Sequence, residues 1–439
     1  MELRVYYTIM PDGTVKQVNP FTGTEVWAVS GRRSKPITNE QLQDAEKLEK
    51  HSPEDYCSFC QTRYYETAPE KARLIKHSDG RWEHIKHPTP ESYLDAPAEF
   101  RRVGNMFEIV TLDYWRKNYA YKMTGVQARW KEEYLANSVG LKHITDIINY
   151  KLQREGKTEE QMEKMTMADR LTVADAFFAG CHEMVIARRH FKDDATHKPD
   201  LYSSGEMTLD EHFHYFRFTI DAMRDVVASN RYVRYISVFQ NWLRSAGASF
   251  DHLHKQLVAL DEWGSSIENQ TKMIREDPNV YNQFGANFAA HHNLVFAEND
   301  YAIAYAGIGH RYPTIEVYSK AQAGRPYEHS DEEIRGMSNL VQAMHAAMGS
   351  QISCNEEWYY TPIDAVYKMP WHILIKWRVT VPAGFEGGTG IFINPMTPIE
   401  VRDRMVPRLY KLRDEGRIDR LRIAEECRVD PNPLKYYLR

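Results

Sequence analysis

Apolar positions along this chain change spacing several times, and each change predicts an element. From residue 1 to about 110 they alternate in short stretches broken by Pro and Gly. "NPFTGTEVWAV" predicts a turn leading into a strand, and "MFEIVTL" predicts another strand. Between about 115 and 178 the pattern becomes long, charged and helically spaced, which predicts a helical insertion. "HEMVIARRH" returns to strand. In "MTLDEHFHYFRFTIDAMRDVVA", Thr208 and Glu211 form a capping box, and Phe213, Phe216, Ile220 and Met223 recur on one helical face. "RYVRYISVFQN" and "GASFDHLHKQLVAL" predict the next two strands.

The second half repeats this order more weakly. "NLVFAENDYAIAYAGI" and "TIEVYSK" read as strands, "SDEEIRGMSNLVQAMHAAMG" as a helix capped by Ser330, and "WHILIKWRV" as a strand again. Strand, strand, helix and imidazole-bearing strand therefore occur twice, as in a decayed internal duplication. The tail from "TPIEVRDRM" onward is mostly helical.

Composition narrows the function. The 439 residues suffice for a large core and two or three domain-sized units, and 42% hydrophobic with 27% charged residues is ordinary for a globular protein. A net charge of −5 with no polybasic stretch argues against a nucleic-acid partner. No apolar run approaches the ~20 residues that cross a bilayer, and the N-terminus has no signal-like apolar stretch, so no membrane partner and a cytoplasmic location are expected. Five cysteines, two of them close together, do not make a disulfide framework.

Three segments could carry chemistry. "GASFDHLHKQLVAL" sets His252, His254 and Gln256 at alternate positions, on one face if the whole stretch is strand. A neutral imidazole attacks phosphorus readily when its second nitrogen is held as a donor, and a neighbouring amide can support the charge that builds on the phosphate. The plainer alternative is a pair of surface or supporting histidines. "SAGAS", just upstream, offers small residues and backbone N–H groups to a phosphate. Cys57 and Cys60 form a C-x-x-C, which suits a metal or unliganded thiols; a zinc would need two further ligands from His or carboxylate, and 18 histidines leave that choice open. Arg32, Arg33 and Lys35 follow a strand as a solvated basic loop or a phosphate clamp. "AGFEGGTGIFIN" is glycine-rich without the spacing of a P-loop or dinucleotide fingerprint.

Five fragments together resemble the galactose-1-phosphate uridylyltransferase branch of the histidine-triad superfamily, which includes sugar-nucleotide phosphorylases. They are "NPFTGTEVWAVSGRRSKP", "CSFCQTRYYETAPE", "GCHEMVIARRH", "VFQNWLRSAGASFDHLHKQ" and "AGFEGGTGIFIN", in family order from about residue 19 to 400. The resemblance implies an α+β fold of two histidine-triad-like halves, 1–265 and 266–439, each an antiparallel sheet with packed helices. It implies that His254 is the nucleophile toward a nucleoside-diphosphate sugar and that Gln256 hydrogen-bonds the nucleotidylated intermediate. Gly247 and Ser249 match the phosphate loop, and Phe239 and Asn241 the nucleotide segment. Phe385 and Glu386 match the sugar segment, and Arg32 a nucleotide contact. Cys57, Cys60, His190 and His252 match a structural zinc site. A homodimer is the family precedent.

The chain departs from the family in places. Leu253 stands where the uridylyltransferases usually have Pro, and Gln240 where they have Glu. The strand "MPWHILIKW" keeps only His372 of the histidines that hold a second metal in some members, so no second metal is expected. The implied reaction passes a nucleotidyl group from a nucleoside-diphosphate sugar to a sugar phosphate or to inorganic phosphate. Hydrolysis or dinucleoside-polyphosphate phosphorolysis is the neighbouring alternative; Gln256 argues against hydrolysis, since the hydrolytic branch usually has a third His there. A non-catalytic nucleotide-binding scaffold is the alternative from another class.

Overall fold

The computed structural model describes residues 5–32, 46–49 and 54–438. Arg33 and Lys35 of the basic loop lie outside the described residues. Strands β1 (Tyr7–Ile9), β2 (Val15–Val18) and β3 (Glu25–Ala28) come first, then β4 (Glu70–Lys76), β5 (Trp82–Lys86), β6 (Phe100–Gly104) and β7 (His182–Ala187). Next are β8 (Tyr235–Trp242), β9 (His254–Leu260), β10 (Val295–Glu298), β11 (Ala302–Ala306) and β12 (Thr314–Ser319). The last are β13 (Cys354–Tyr359), β14 (His372–Trp377), β15 (Ile391–Ile393) and β16 (Arg422–Ile423). Helices α1 (Leu112–Tyr119), α2 (Gly125–Ala136), α3 (Ser138–Arg154), α4 (Glu159–Glu163) and α5 (Met167–Ala179) make up the insertion, within three residues of its expected bounds. Then come α6 (Leu209–Ser229), α7 (Ser265–Glu276), α8 (Asn287–His291), α9 (Asp331–Met348), α10 (Gly384–Thr389) and α11 (Pro398–Asp414).

The fold is α+β. A twelve-stranded sheet runs β16-β10-β11-β12-β14-β13-β8-β9-β7-β6-β4-β5, and its described pairings are antiparallel. Outward from the central β8–β13 pair, β8-β9-β7-β6 on one side matches β13-β14-β12-β11 on the other. In each half a long helix, α6 or α9, falls between the second and third strands of the repeat. The duplication read from the sequence is thus visible in the topology.

The expected capping box at Thr208 and the expected cap at Ser330, which makes a box with Glu333, start those two helices. Phe213, Phe216, Ile220 and Met223 are all buried on α6, each such side chain contributing about 1.5–3 kcal/mol by leaving water. A second sheet, β1-β2-β3-β15, joins the N-terminal segment to the far end of the chain. It is tied to the second repeat by Asn19 Nδ2, which donates to the Ile308 carbonyl at 2.9 Å, and by the Gly309 N–H, which donates to Gln17 at 3.0 Å.

Two expectations are corrected, and one strand goes beyond them. "MFEIVTL" is a loop that runs into the start of α1 at Leu112, because its polar groups are taken locally. Asn105 accepts from the Phe107 N–H, Glu108 from the Leu112 N–H, and the Ile109 N–H goes to His182, so no ladder partner remains for them. The strand predicted from residue 247 starts only at His254; a short 3-10 turn at Arg244–Ala246 and a loop precede it. Finally, β13 reads as polar, "CNEEWY", and was not predicted, yet it is central: Glu356 is wholly buried and paired inside the core.

Candidate functional site

The loop that ends at β9 explains why the His-x-His-x-Gln residues divide. His252 precedes the strand and turns toward the C-x-x-C turn, in which the Cys60 N–H donates to the Cys57 carbonyl at 2.9 Å. The two sulfurs lie 3.9 Å apart. His190 Nδ1 is 3.5 Å from each sulfur, and His252 Nδ1 is 3.6 and 3.8 Å from Cys57 and Cys60. All four ligand atoms fall within 4.8 Å of one another, in mostly buried surroundings, and form a cluster that could hold a metal ion. His252 Nε2 donates to the Ala187 carbonyl at 2.7 Å, which fixes its proton there and leaves the Nδ1 lone pair facing the thiols.

His254 opens β9. Its Nδ1 lies 2.7 Å from the His252 carbonyl; a carbonyl only accepts, so Nδ1 carries the proton and Nε2 carries the lone pair. No described residue hydrogen-bonds that Nε2. Burial pushes the imidazole down to about 4, so it is neutral near pH 7. Phe59, from between the two cysteines, sets its ring edge-on to His254 at 5.2 Å and packs with Val103, Met184 and Ile186 beneath it. The metal cluster and the wall of the imidazole are therefore built from the same turn.

Gln256 shares the His254 face and is held by His182, a residue the sequence reading did not single out. The Ile109 N–H donates to His182 Nδ1 at 3.0 Å, which places the ring proton on Nε2, and Nε2 donates to Gln256 Oε1 at 3.1 Å. Burial lowers His182, keeping it neutral. With its oxygen engaged, Gln256 has its amide N–H groups left to offer. The signal in "GCHEMV" was a polar residue at the start of an apolar strand, but its function depends on a loop about 70 residues away.

The sheet register brings other expected residues alongside. Phe239 pairs with Gln256, which carries Asn241 to a position opposite His254, and Asn241 pairs across the midline with Asn355. Asn355 Nδ2 donates to Asn241 Oδ1 at 2.7 Å and to the Ala246 carbonyl at 2.8 Å, while Arg378 donates to its oxygen at 2.8 Å. This second-half anchor, also missed from sequence, ties the "SAGAS" loop to the reaction face. Gly247 sits there at φ +88°, where a Cβ would come within 4.0 Å of Asn241. Ser249 is exposed, with no described hydrogen bond.

Behind the face, Lys255 points the other way and is fully buried against Glu356 at 2.5 Å and Gln240 at 3.1 Å. Burial draws Lys255 down. It also opposes ionisation of Glu356, but Lys255 and His345 overcome this and hold that carboxyl below the usual range.

Arg32, Phe385 and Glu386 are not brought into this group by any described contact. Arg32 ends a short turn after β3, and Phe385 and Glu386 lie on α10. Phe385 is 49% exposed. Glu386 caps its own helix, accepting from the Ala383 N–H at 2.8 Å. β3 and β15 run side by side, so Arg32 and Glu386 are near enough to interact electrostatically.

Duplicated half-sheets meeting at β8–β13, with a Cys2His2 cluster beside His254, agree with the galactose-1-phosphate uridylyltransferase-like architecture that the sequence resembles. The chain belongs to the family described as Domain of unknown function (DUF4921), whose model matches residues 10–436. An ADP-glucose phosphorylase from Arabidopsis thaliana is 24% identical over 183 residues, 40% of this chain and 52% of that protein. The chain thus matches about half the length of this curated relative. The crystal structure of an ADP-glucose phosphorylase from Arabidopsis thaliana with bound ADP-glucose superposes with a TM-score of 0.55 at 18% identity, covering 90% of this chain and 98% of that one. A GalT-like protein from Arabidopsis thaliana gives 0.54 at 17% identity, covering 89% and 98%. At such identities the structural likeness speaks to the fold alone. Among the described residues, no helix is long and apolar enough to cross a membrane.

Proposed function

We propose that this protein is a nucleotidyltransferase acting on a nucleoside-diphosphate sugar through a nucleotidyl-histidine on His254. The supporting observation is the locked tautomer, with Nδ1–H held by the His252 carbonyl and Nε2 without a hydrogen-bond partner among the described residues. Nε2 attacks the α-phosphorus as the bond to the bridging oxygen breaks, and the sugar 1-phosphate leaves with that electron pair. A phosphate oxygen of the acceptor then attacks the same phosphorus and restores neutral His254. Gln256, oriented by His182, donates its amide to a phosphoryl oxygen as charge builds there. Gly247 and Ser249 offer small, open backbone to the phosphates, and Phe239 and Asn241 flank the nucleotide.

The relatives' names point to ADP-glucose as donor and inorganic phosphate as acceptor; hexose 1-phosphate is the other acceptor to try. Cys57, Cys60, His190 and His252 would hold zinc. Tetrahedral zinc, with bonds of about 2.3 Å to sulfur and 2.0–2.1 Å to nitrogen, spaces its ligand atoms by about 3.4–3.8 Å, which these four residues approach. Its contribution would be structural, fixing the turn that carries Phe59 and the loop that delivers His254. The unit is proposed as a homodimer, to be checked by light scattering.

The test is turnover of ADP-glucose with inorganic phosphate, followed as glucose 1-phosphate and ADP. His254→Ala should abolish it while retaining about one zinc per chain by elemental analysis. A variant at the parent rate would contradict the mechanism, and a variant without zinc would contradict the division of roles between His252 and His254.

A further inference from the structure

A cavity of about 340 Å³ opens where the insertion meets the C-terminal end of α6, on the face of the sheet turned away from His254. Arg102 and Glu183 form part of its floor, and they alternate with Val103 and Met184, which pack beneath His254 on the other side. Lys71, Arg102 and Glu183 are 6%, 5% and 1% exposed. Lys71 Nζ donates to the Gly180 carbonyl and to Glu183, each at 2.7 Å. Arg102 donates through Nε and Nη2 to Glu183 and through Nη1 to Asp225. An ammonium has three N–H groups and a guanidinium five. One N–H on Lys71 and two on Arg102 are therefore not taken by these bonds, and both side chains line the cavity.

Two further features favour an anion. Lys71, Lys86 and Arg102 line the cavity with two carboxylates, Glu183 and Asp225, to which all three cations are paired, leaving one positive charge in excess. The N-terminus of α2 also borders it: Thr124 caps that helix by accepting from Gln127, and Thr124, Val126 and Gln127 all line the wall. The first N–H groups of a helix have no intrahelical partner and carry its positive end. Buried donors from a strand pair and a helix N-terminus thus meet on one space large enough for a small molecule.

We infer that this cavity is a second ligand site, for a small phosphorylated metabolite whose phosphate sits among Lys71, Arg102 and the start of α2. Three separately placed donor groups suit a tetrahedral dianion better than a planar carboxylate. Gln127 and Ser229 then face the hydroxyl-bearing body. The inference does not rest on the nucleotidyl-transfer reading, because no residue is shared with the His254 site.

Hydrogen exchange of the full chain, with inorganic phosphate or glucose 1-phosphate as probe, tests it and separates the two sites by position. Both probes should protect amides 124–128, whatever happens at 243–256. Ala228→Trp, at an exposed α6 position lining the cavity, should abolish the protection at 124–128 and leave 243–256 as in the parent. Val126→Trp, at a residue 65% exposed, should do the same and serves if the first variant lowers Tm. No protection at 124–128, undiminished protection in both folded variants, or equal protection by acetate would overturn the assignment.

Discussion

Strands β9 and β14 occupy equivalent places in the two half-sheets, and each begins with a buried histidine. His254 and His372 both place Nδ1 against the carbonyl two residues earlier, at 2.7 and 2.9 Å. Their flanks differ. His254 pairs with Ile186 on β7 and faces Asn241 on β8. His372 pairs with Tyr318 and Tyr359, whose rings stack on it at 4.5 and 5.2 Å, nearly parallel, and Tyr305 extends the stack. The row continues differently too, with Gln256 in one half and Leu374 in the other. Backbone duplication therefore preserved an imidazole and its tautomer lock twice. Its neighbours, Asn and Ile against two Tyr, keep one ring free of the stacked tyrosines that make the other part of a core.

The largest effect should separate the two histidines. His254→Ala should lower kcat at least about 10³-fold, as loss of a nucleophile does. His372→Ala should keep kcat within about threefold while costing about 2–4 kcal/mol in urea unfolding, because it opens a cavity in a ring stack. Equal losses of activity would break the comparison. Next, Asn241→Tyr copies the sealing residue of β14's neighbour into the reaction face. It should reduce kcat/KM about 10²-fold by displacing substrate while the fold persists, and an unaltered rate would mean that flanking rings are not what silences the second half.

A third contrast lies behind the face, where Lys255 corresponds to Ile373. Lys255→Met should cost about 3–5 kcal/mol, since Glu356 would remain buried without its cation, and adding Glu356→Leu should recover most of that. The smallest effect is the pH dependence of the sealed site. Burial holds His372 at about 4, against an ordinary 6.5, so its neutral form is favoured in the folded state. Below 6.5 the unfolded chain takes up a proton that the folded one refuses. Stability is thus full above 6.5 and falls as pH drops toward about 4. The contribution lost between pH 7 and 5 is about 2 kcal/mol, and His372→Leu should flatten the urea-midpoint profile by that amount.

Much of this was legible in the sequence because it lies in local periodicity. The α6 and α9 patterns, the insertion and the repeat order follow from apolar spacing, and the Thr208 capping box and Ser330 cap from local polar residues. The Cys57, Cys60, His190 and His252 set came from family resemblance, and the structure brings those four together. What the sequence hid depends on distant partners. β13 looked polar because Glu356 is neutralised by Lys255, more than 100 residues earlier. His182 gains its task only when the loop at Ile109 folds over it. His252 appeared to share a strand face with His254, but the strand begins one residue after Leu253, so the two rings serve different sites.

The most direct measurement is covalent capture. The protein would be incubated briefly with nucleoside-diphosphate sugars labelled at the α-phosphorus, ADP-glucose first, and the labelled peptide identified by mass spectrometry. The account predicts acid-labile, base-stable label on the peptide containing His254, absent in His254→Ala and retained in His372→Ala. No label from any sugar nucleotide, or label that survives in His254→Ala, would contradict it.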